Sequence, residues 1–143
     1  MLDYAFLEIL ESLTLEELKS FRRFISSPYF NRSAKVIKLY DLISRYHPNY
    51  DNRLISKEKL HKKISPDLPY NETTIRRLLF DLQNLAERFM KQIQFEKRKA
   101  ESGIYLIEEL AGRGSSKVYY KNSKDTKKLL DSEENLDSDI CLN

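Results

Sequence analysis

The chain has 143 residues, 41% of them hydrophobic and 33% charged, with three glycines, one cysteine and a formal net charge of +3. That hydrophobic share excludes a disordered chain, and the length is enough to bury a core. A lone Cys141 excludes an internal disulfide, and no apolar run approaches the ~20 residues needed to span a bilayer, so a cytoplasmic protein without membrane contact is expected. The opening MLDYAFLEILESL carries Asp3, Glu8 and Glu11 and no basic stretch, unlike a signal peptide. The charge is unevenly placed. Residues 131–143 hold five acids and no base, which leaves the preceding 130 residues with 25 bases against 17 acids, or +8. A basic body attracts phosphates or an acidic partner.

Few glycines and many charges predict helices with long polar faces. Leu2, Ala5, Phe6, Ile9, Leu10 and Leu13 have helical spacing. Thr14-x-x-Glu17 spells a capping box for a second helix, with Leu13 and Leu18 placed as its hydrophobic staple. Leu15, Leu18, Phe21, Phe24 and Ile25 form that helix's expected buried face, and Ser26-Ser27-Pro28 ends it. Asn31 or Ser33 caps a third helix with Val36, Leu39, Tyr40, Ile43 and Tyr46 inward, and Pro48 lies just past its end. Residues 49–52 read as loop. Ser56 caps a short basic helix, KEKLHKKI, with Leu60 and Ile64 inward, and 65–70 is a stiff turn holding two prolines.

The stretch from Asn71 to Lys99 contains no Gly or Pro, and its apolar residues recur from Ile75 through Leu78, Leu79, Leu82, Leu85, Ala86, Phe89 and Met90 to Ile93. At about 100° per residue they form one stripe roughly 140° wide, as in a helix packed against several neighbours. Asn71 is its cap, and Glu72 sits where the helix dipole favours an anion. Beyond Lys99, Ile104, Ile107, Leu110 and Ala111 suggest a further helix stopped by Gly112 and Gly114. A last one is expected from Ser115 or Ser116 to Leu130, with Val118, Tyr119, Leu129 and Leu130 apolar. No segment alternates at period two. The expectation is therefore an all-α fold: about six helices in a single bundle around a long helix over about 72–99, without a sheet. The bundle would cover 1–130, the alternative being that 101–130 forms an added helical hairpin, and the acidic tail 131–143 would be loose.

Chemistry is sparse. There is no GxGxxG, phosphate loop or HExxH. His47 and His61 stand apart, at helix positions that favour a surface reading, and Cys141 has no basic neighbour to activate it. Neither an enzyme nor a cofactor or metal site is expected. Candidate partner contacts are Tyr29 and Phe30, in the connection after Pro28, and Phe80 and Phe95, which point away from the long helix's main stripe. A protein-interaction module is the reading these favour. Ile55–Leu85 supplies an alternative, because a short basic helix, a turn and a helix opening NETTIRR resemble helix-turn-helix spelling. Thr73, Thr74, Arg76 and Arg77 would then read bases, and Arg53, Lys57, Lys59, Lys62 and Lys63 would touch phosphates. The turn is longer than that motif's usual three or four residues.

The elements Leu13-Thr14-x-x-Glu17-Leu18-x-x-Phe21-x-x-Phe24-Ile25, then Ser27-Pro28-Tyr29-Phe30-Asn31, Pro69-Tyr70-Asn71 and Leu78 to Phe89 resemble the N-terminal region of a family of uncharacterised bacterial all-helical proteins. The C-terminal parts of those proteins resemble helical repeats. The resemblance implies an all-helical fold and a docking role within a larger helical-repeat system. It implies no activity and no site residues. Leu10 to Ile25 also resembles the opening helices of pyrin-type death-fold domains, through a capping box and Leu/Phe spacing that end where SPYFN begins.

Overall fold

The computed structural model describes residues 4–51 and 53–141. Leu2, expected on the first helix's apolar face, Asn52 of the expected loop, and the last two residues of the tail lie outside the described residues. The chain is all-helical, with no strand among the described residues. In order come α1 (Tyr4–Ser12), α2 (Leu15–Ser26), α3 (Ala34–Ser44), α4 (Lys57–Ile64), α5 (Glu72–Lys97), α6 (Lys99–Arg113) and α7 (Ser116–Cys141). They group into two compact units, one through Met90 and one from Lys91.

In the first unit the caps do what their residue types dictate. Thr14 accepts the Glu17 N–H at 3.1 Å, and Glu17 in return accepts the Thr14 N–H at 3.1 Å, completing the capping box. Leu13 and Leu18, the staple residues, are both buried. Ser33 caps α3 by accepting from Val36, and Asn31 takes a different task. Its amide donates to the Ile25 carbonyl at 2.8 Å and its Oδ1 accepts the Ser33 N–H at 3.0 Å, so it clips the end of α2 to the start of α3. Ser56 and Asn71 cap α4 and α5 through the N–H groups of Lys59 and Thr74.

The core forms where α2, α3 and α5 meet. Phe21 is fully buried, with Tyr40 edge-on at 5.1 Å and Phe89 at 5.3 Å. Phe24 extends the cluster to Phe89 at 5.6 Å and to Phe30 at 4.3 Å. The Tyr40 hydroxyl donates to the Leu18 carbonyl at 2.8 Å, and Arg22 grips Asp41 with two bonds of 2.8 and 3.0 Å, so α2 and α3 are joined in the core and at the rim. From α5 the core takes Ile75, Leu82, Leu85, Ala86 and Phe89.

Several expectations need correcting. Leu15 is exposed: it is the first residue of α2, and the staple residues on either side of it, Leu13 and Leu18, cover the core side of that end. Met90 is exposed, and Leu78, Leu79 and Ile93 are half-buried, so the buried strip of α5 is narrower than the apolar stripe. Leu7, Leu42, Tyr50 and Ile55 are buried beyond the expected set. The long helix ends at Lys97 because Arg98 leaves helical angles (φ −92°, ψ 73°), and α6 starts at once. Gly112 stays helical, and Gly114 alone stops α6 in the left-handed region (φ 72°, ψ 20°) that only glycine enters freely. α7 continues through the acidic stretch to Cys141, past Leu130 where the spacing ends the last helix. No Gly or Pro interrupts residues 116–141, so the helix that starts at Ser116 meets no breaker there. In the second unit α6 and α7 pack as a hairpin about Gly114.

Leu82 is fully buried in mid-helix. Leu82→Asp buries an unpaired charge and is expected to unfold the first unit, whereas Leu82→Ala should cost about 2–5 kcal/mol. Thermal melts followed by circular dichroism distinguish the two, and a Leu82→Asp melt like the parent's would show that this face is not core. Burial first, and then the nearby Tyr50 and Asp41, push the Tyr40 hydroxyl up to about 12 from its ordinary 10.0. Its contribution is therefore complete below pH 10 and is lost as the pH rises towards 12. Tyr50, also raised by burial, acts in the same direction. Tyr40→Phe should make denaturation midpoints fall less steeply over this window, at a cost of about 1 kcal/mol at neutral pH for the lost hydrogen bond.

Candidate functional site

The four aromatic candidates separate. Phe30 is half-buried, its ring stacked on Phe24 and the Arg88 guanidinium 5.2 Å from its centre. It plugs the α2–α3 connection. Tyr29 meets Phe30 edge-on at 5.0 Å but is 87% exposed. Phe80 is 63% exposed, and no ring contact joins it to that pair among the described residues. Phe95 belongs to the second unit, where it stacks on Tyr105 at 5.9 Å while remaining partly exposed.

The basic candidates divide by what they touch. Arg53 is occupied: it forks onto Asp51 with contacts of 2.9 to 3.2 Å, and its own N–H donates to the same carboxylate at 2.9 Å. These bonds hold the Asp51 carboxyl below the usual carboxylate range. Lys57 is mostly covered and reaches Glu72 at 3.7 Å. The Thr74 N–H is used by the Asn71 cap, and the Thr73 and Thr74 side chains face solvent. Arg76 and Arg77 are exposed near the start of α5 and form no ion pair among the described residues.

Lys59, Lys62 and Lys63 do come together. With Leu42 and Tyr46 from the α3 side, Leu54, Ile55 and Ser56 from the following loop, and Leu60 of α4, they line a cleft of about 140 Å³. Ile55 and Leu60 are buried beneath it, no carboxylate lines it, and none of the three lysines forms an ion pair among the described residues. The cleft's sequence signal was split between the period of α4 and two residues read as a lead-in, Leu54 and Ile55, so only its basic rim could be seen. On the same helix His61 is buried rather than on the surface. Its Nε2 accepts the Asn71 N–H at 3.4 Å, and Tyr70 lies edge-on at 5.3 Å. Accepting at Nε2 places the ring proton on Nδ1. The histidine thus ties α4 to the residue that caps α5. His47 contacts the Tyr50 hydroxyl at 3.3 Å.

The hairpin of the second unit presents a different kind of surface. Among its described residues only Ala100 and Thr126 are buried. On α7, Val118, Leu129 and Leu136 are exposed. Steps of eleven and seven residues at about 100° each bring the three within about 20° of one line, so they form a ridge. Leu136 was missed because the last helix was expected to stop at Leu130. The acids Asp131, Glu133, Glu134 and Asp137 are exposed along the same helix. Glu133 and Asp137 also line a polar cleft with Lys97, Arg98 and Glu101.

Among the described residues no group of three His, Cys, Asp or Glu side chains gathers as metal ligands, and no helix is long and apolar enough to cross a membrane. No family model, curated protein or solved structure matches the chain.

The hairpin closes through Gly103, where an added Cβ would run into the Thr126 hydroxyl. That buried hydroxyl makes no hydrogen bond among the described residues. Gly103→Ala alone should therefore loosen the hairpin and speed amide exchange along α6 and α7. Adding Thr126→Ala leaves only the Cβ, 3.4 Å from the new methyl. The double variant should recover parental exchange, helped by alanine's helix propensity over glycine of about 0.5–1 kcal/mol. Unchanged exchange in the single variant would mean that the two helices are not in close contact there.

Proposed function

We propose that the chain is a non-catalytic helical protein-interaction module and that the ridge of α7 is its docking element. The observation that carries this is the imbalance of the second unit. Two buried residues hold its hairpin, while Val118, Leu129 and Leu136 line up in solvent. Helices of this kind gain most of their stability from packing an apolar face, and each leucine that a partner fully covers contributes on the order of 1.5–3 kcal/mol. The exposed Tyr29 and Phe80 of the first unit, and Phe95 of the second, are secondary contacts in this reading.

The test is a photo-crosslinking residue placed in the chain in living cells, at Leu129 in one variant and at Lys127 in another. Two residues apart on a helix, these positions point about 160° away from each other. A discrete protein adduct is expected from position 129 and none from 127. Equal labelling at both positions, or none at either, would remove the reading. Val118→Ser should leave the melting temperature nearly unchanged, because that side chain is 49% exposed.

Nucleic-acid binding is the second reading, favoured by one observation: Arg76 and Arg77 are exposed and unpaired among the described residues, near the capped start of α5. Polarisation of labelled duplex and single-stranded DNA and RNA tests it. With only a generic basic surface, binding at low salt should vanish at physiological salt, and Arg76→Glu with Arg77→Glu should weaken it no more than the same change in charge placed at other exposed bases. Sequence-selective binding that survives physiological salt and is lost in that variant would instead establish a nucleic-acid interface.

A further inference from the structure

We propose that the lysine-rimmed cleft between α3 and α4 receives the acidic end of α7 from a second copy of this chain, with Leu136 on the cleft's apolar floor. This deepens the interaction-module reading and rests on it, by naming one partner for one part of the ridge.

The cleft sets two requirements for an occupant. Its volume of about 140 Å³ is lined in part by Leu42, Ile55 and Leu60. An apolar cavity of about 150 Å³ holds a molecule the size of benzene, so the floor takes one medium-sized apolar side chain and little more. Its rim is Lys59, Lys62 and Lys63, with no carboxylate among the lining residues and no ion pair on any of the three. The occupant is therefore an apolar knob flanked by negative charge, and a phosphate alone would leave the floor unfilled.

The end of α7 meets both requirements. Leu136 is 62% exposed, and Glu133, one turn earlier on the same face, and Asp137 flank it; both acids are exposed, and they also line the polar cleft with Lys97 and Arg98 of their own hairpin. Residues 131–143 contain five acids and no base. A lysine-rimmed, carboxylate-free cleft and a base-free, leucine-bearing helix end are complementary in charge and in shape. They lie on different parts of one chain, so the contact between copies is head-to-tail: each copy has one cleft and one helix end to offer, and association continues as an open series unless the rotation closes a ring. One leucine and a few ion pairs fall well below the ~1,200 Å² of a stable standard interface, so the association is weak and sensitive to salt.

Sedimentation velocity of the full chain over a wide concentration range is the test. The weight-average mass should rise with concentration at low salt and fall back towards the monomer at about 0.5 M salt. Leu136→Ser and, separately, Lys62→Glu with Lys63→Glu should each stay monomeric where the parent associates, with unchanged melts, because all three residues are exposed. The decisive sample is an equimolar mixture of the two variants. It retains one intact cleft and one intact helix end, so it should form a heterodimer and nothing larger. A parent that is monomeric at every concentration overturns the proposal, as does association that persists in either variant alone or a mixture that remains monomeric. If the parent is monomeric while position 129 still crosslinks to another protein in cells, this proposal fails and the interaction-module reading stands.

Discussion

The contact of Phe21 with Tyr40 and Phe89 is the constraint on which the first unit depends. One fully buried ring on α2 touches α3 on one side and α5 on the other. Such ring pairs contribute about 0.5–1.5 kcal/mol each beyond their burial. Their larger effect is geometric, because they fix the rotation of three helices at once. With α3 held by Tyr40, Leu42 in its last turn and Tyr46 just past its end line the lysine cleft and give it an apolar wall. With α5 held by Phe89, its capped start can be met by His61 from α4. The surface that could be used for recognition is thus set by packing at some distance from it.

The two units divide the work of stability unequally. The first has buried residues on all of its helices and capping bonds at the starts of α2, α3, α4 and α5. In the second, the close approach of Gly103 to Thr126 brings α6 and α7 together, while most of the large apolar side chains remain half-buried or exposed. A hairpin of this kind has little burial to set against the entropy of ordering it. Local opening there should cost less than opening of the first unit. A partner that covers the ridge would add the burial that the hairpin lacks.

Much of the fold was legible because local signals agreed with one another. The capping box at Thr14, the serines at 33 and 56 and the asparagine at 71 each stand at the head of a periodic run, and the structure places a cap at every one. The failures have physical causes. Arg98 breaks the long helix without Gly or Pro. Its carbonyl accepts the Ser102 N–H at 2.9 Å, and its side chain pairs with Glu101 at 2.7 Å, an arrangement that periodicity does not encode. His61 is buried with Tyr70 edge-on to its ring and the Asn71 N–H on its Nε2, contacts across the turn after α4 that the period of that helix does not encode. The helical tail was missed because acidity was read as looseness, although like charges spread along a helix do not break it as Gly or Pro would. The ridge went unseen for the same reason, since Leu136 lay in the segment set aside.

The basic charge of the body illustrates why a count of lysines and arginines is a weak guide to partners. Read from sequence, Arg53, Lys57, Lys59, Lys62 and Lys63 form one phosphate-binding set. In the structure they fall into two kinds. Arg53 and Lys57 are engaged by Asp51 and Glu72, and a cation already neutralised by a carboxylate displaces few of the counterions condensed on a nucleic acid, so it adds little to nucleic-acid affinity. Lys59, Lys62 and Lys63 are free of such pairs, but they surround an apolar hollow. A polyanion tracks best along an open row of cations, and a hollow of this kind leaves its backbone with nothing to fill the floor. Charge that frames apolar surface favours a side chain with both properties, and amphipathic protein segments supply these routinely. The same lysines that read as one phosphate-binding row in sequence stand in the structure around an apolar hollow.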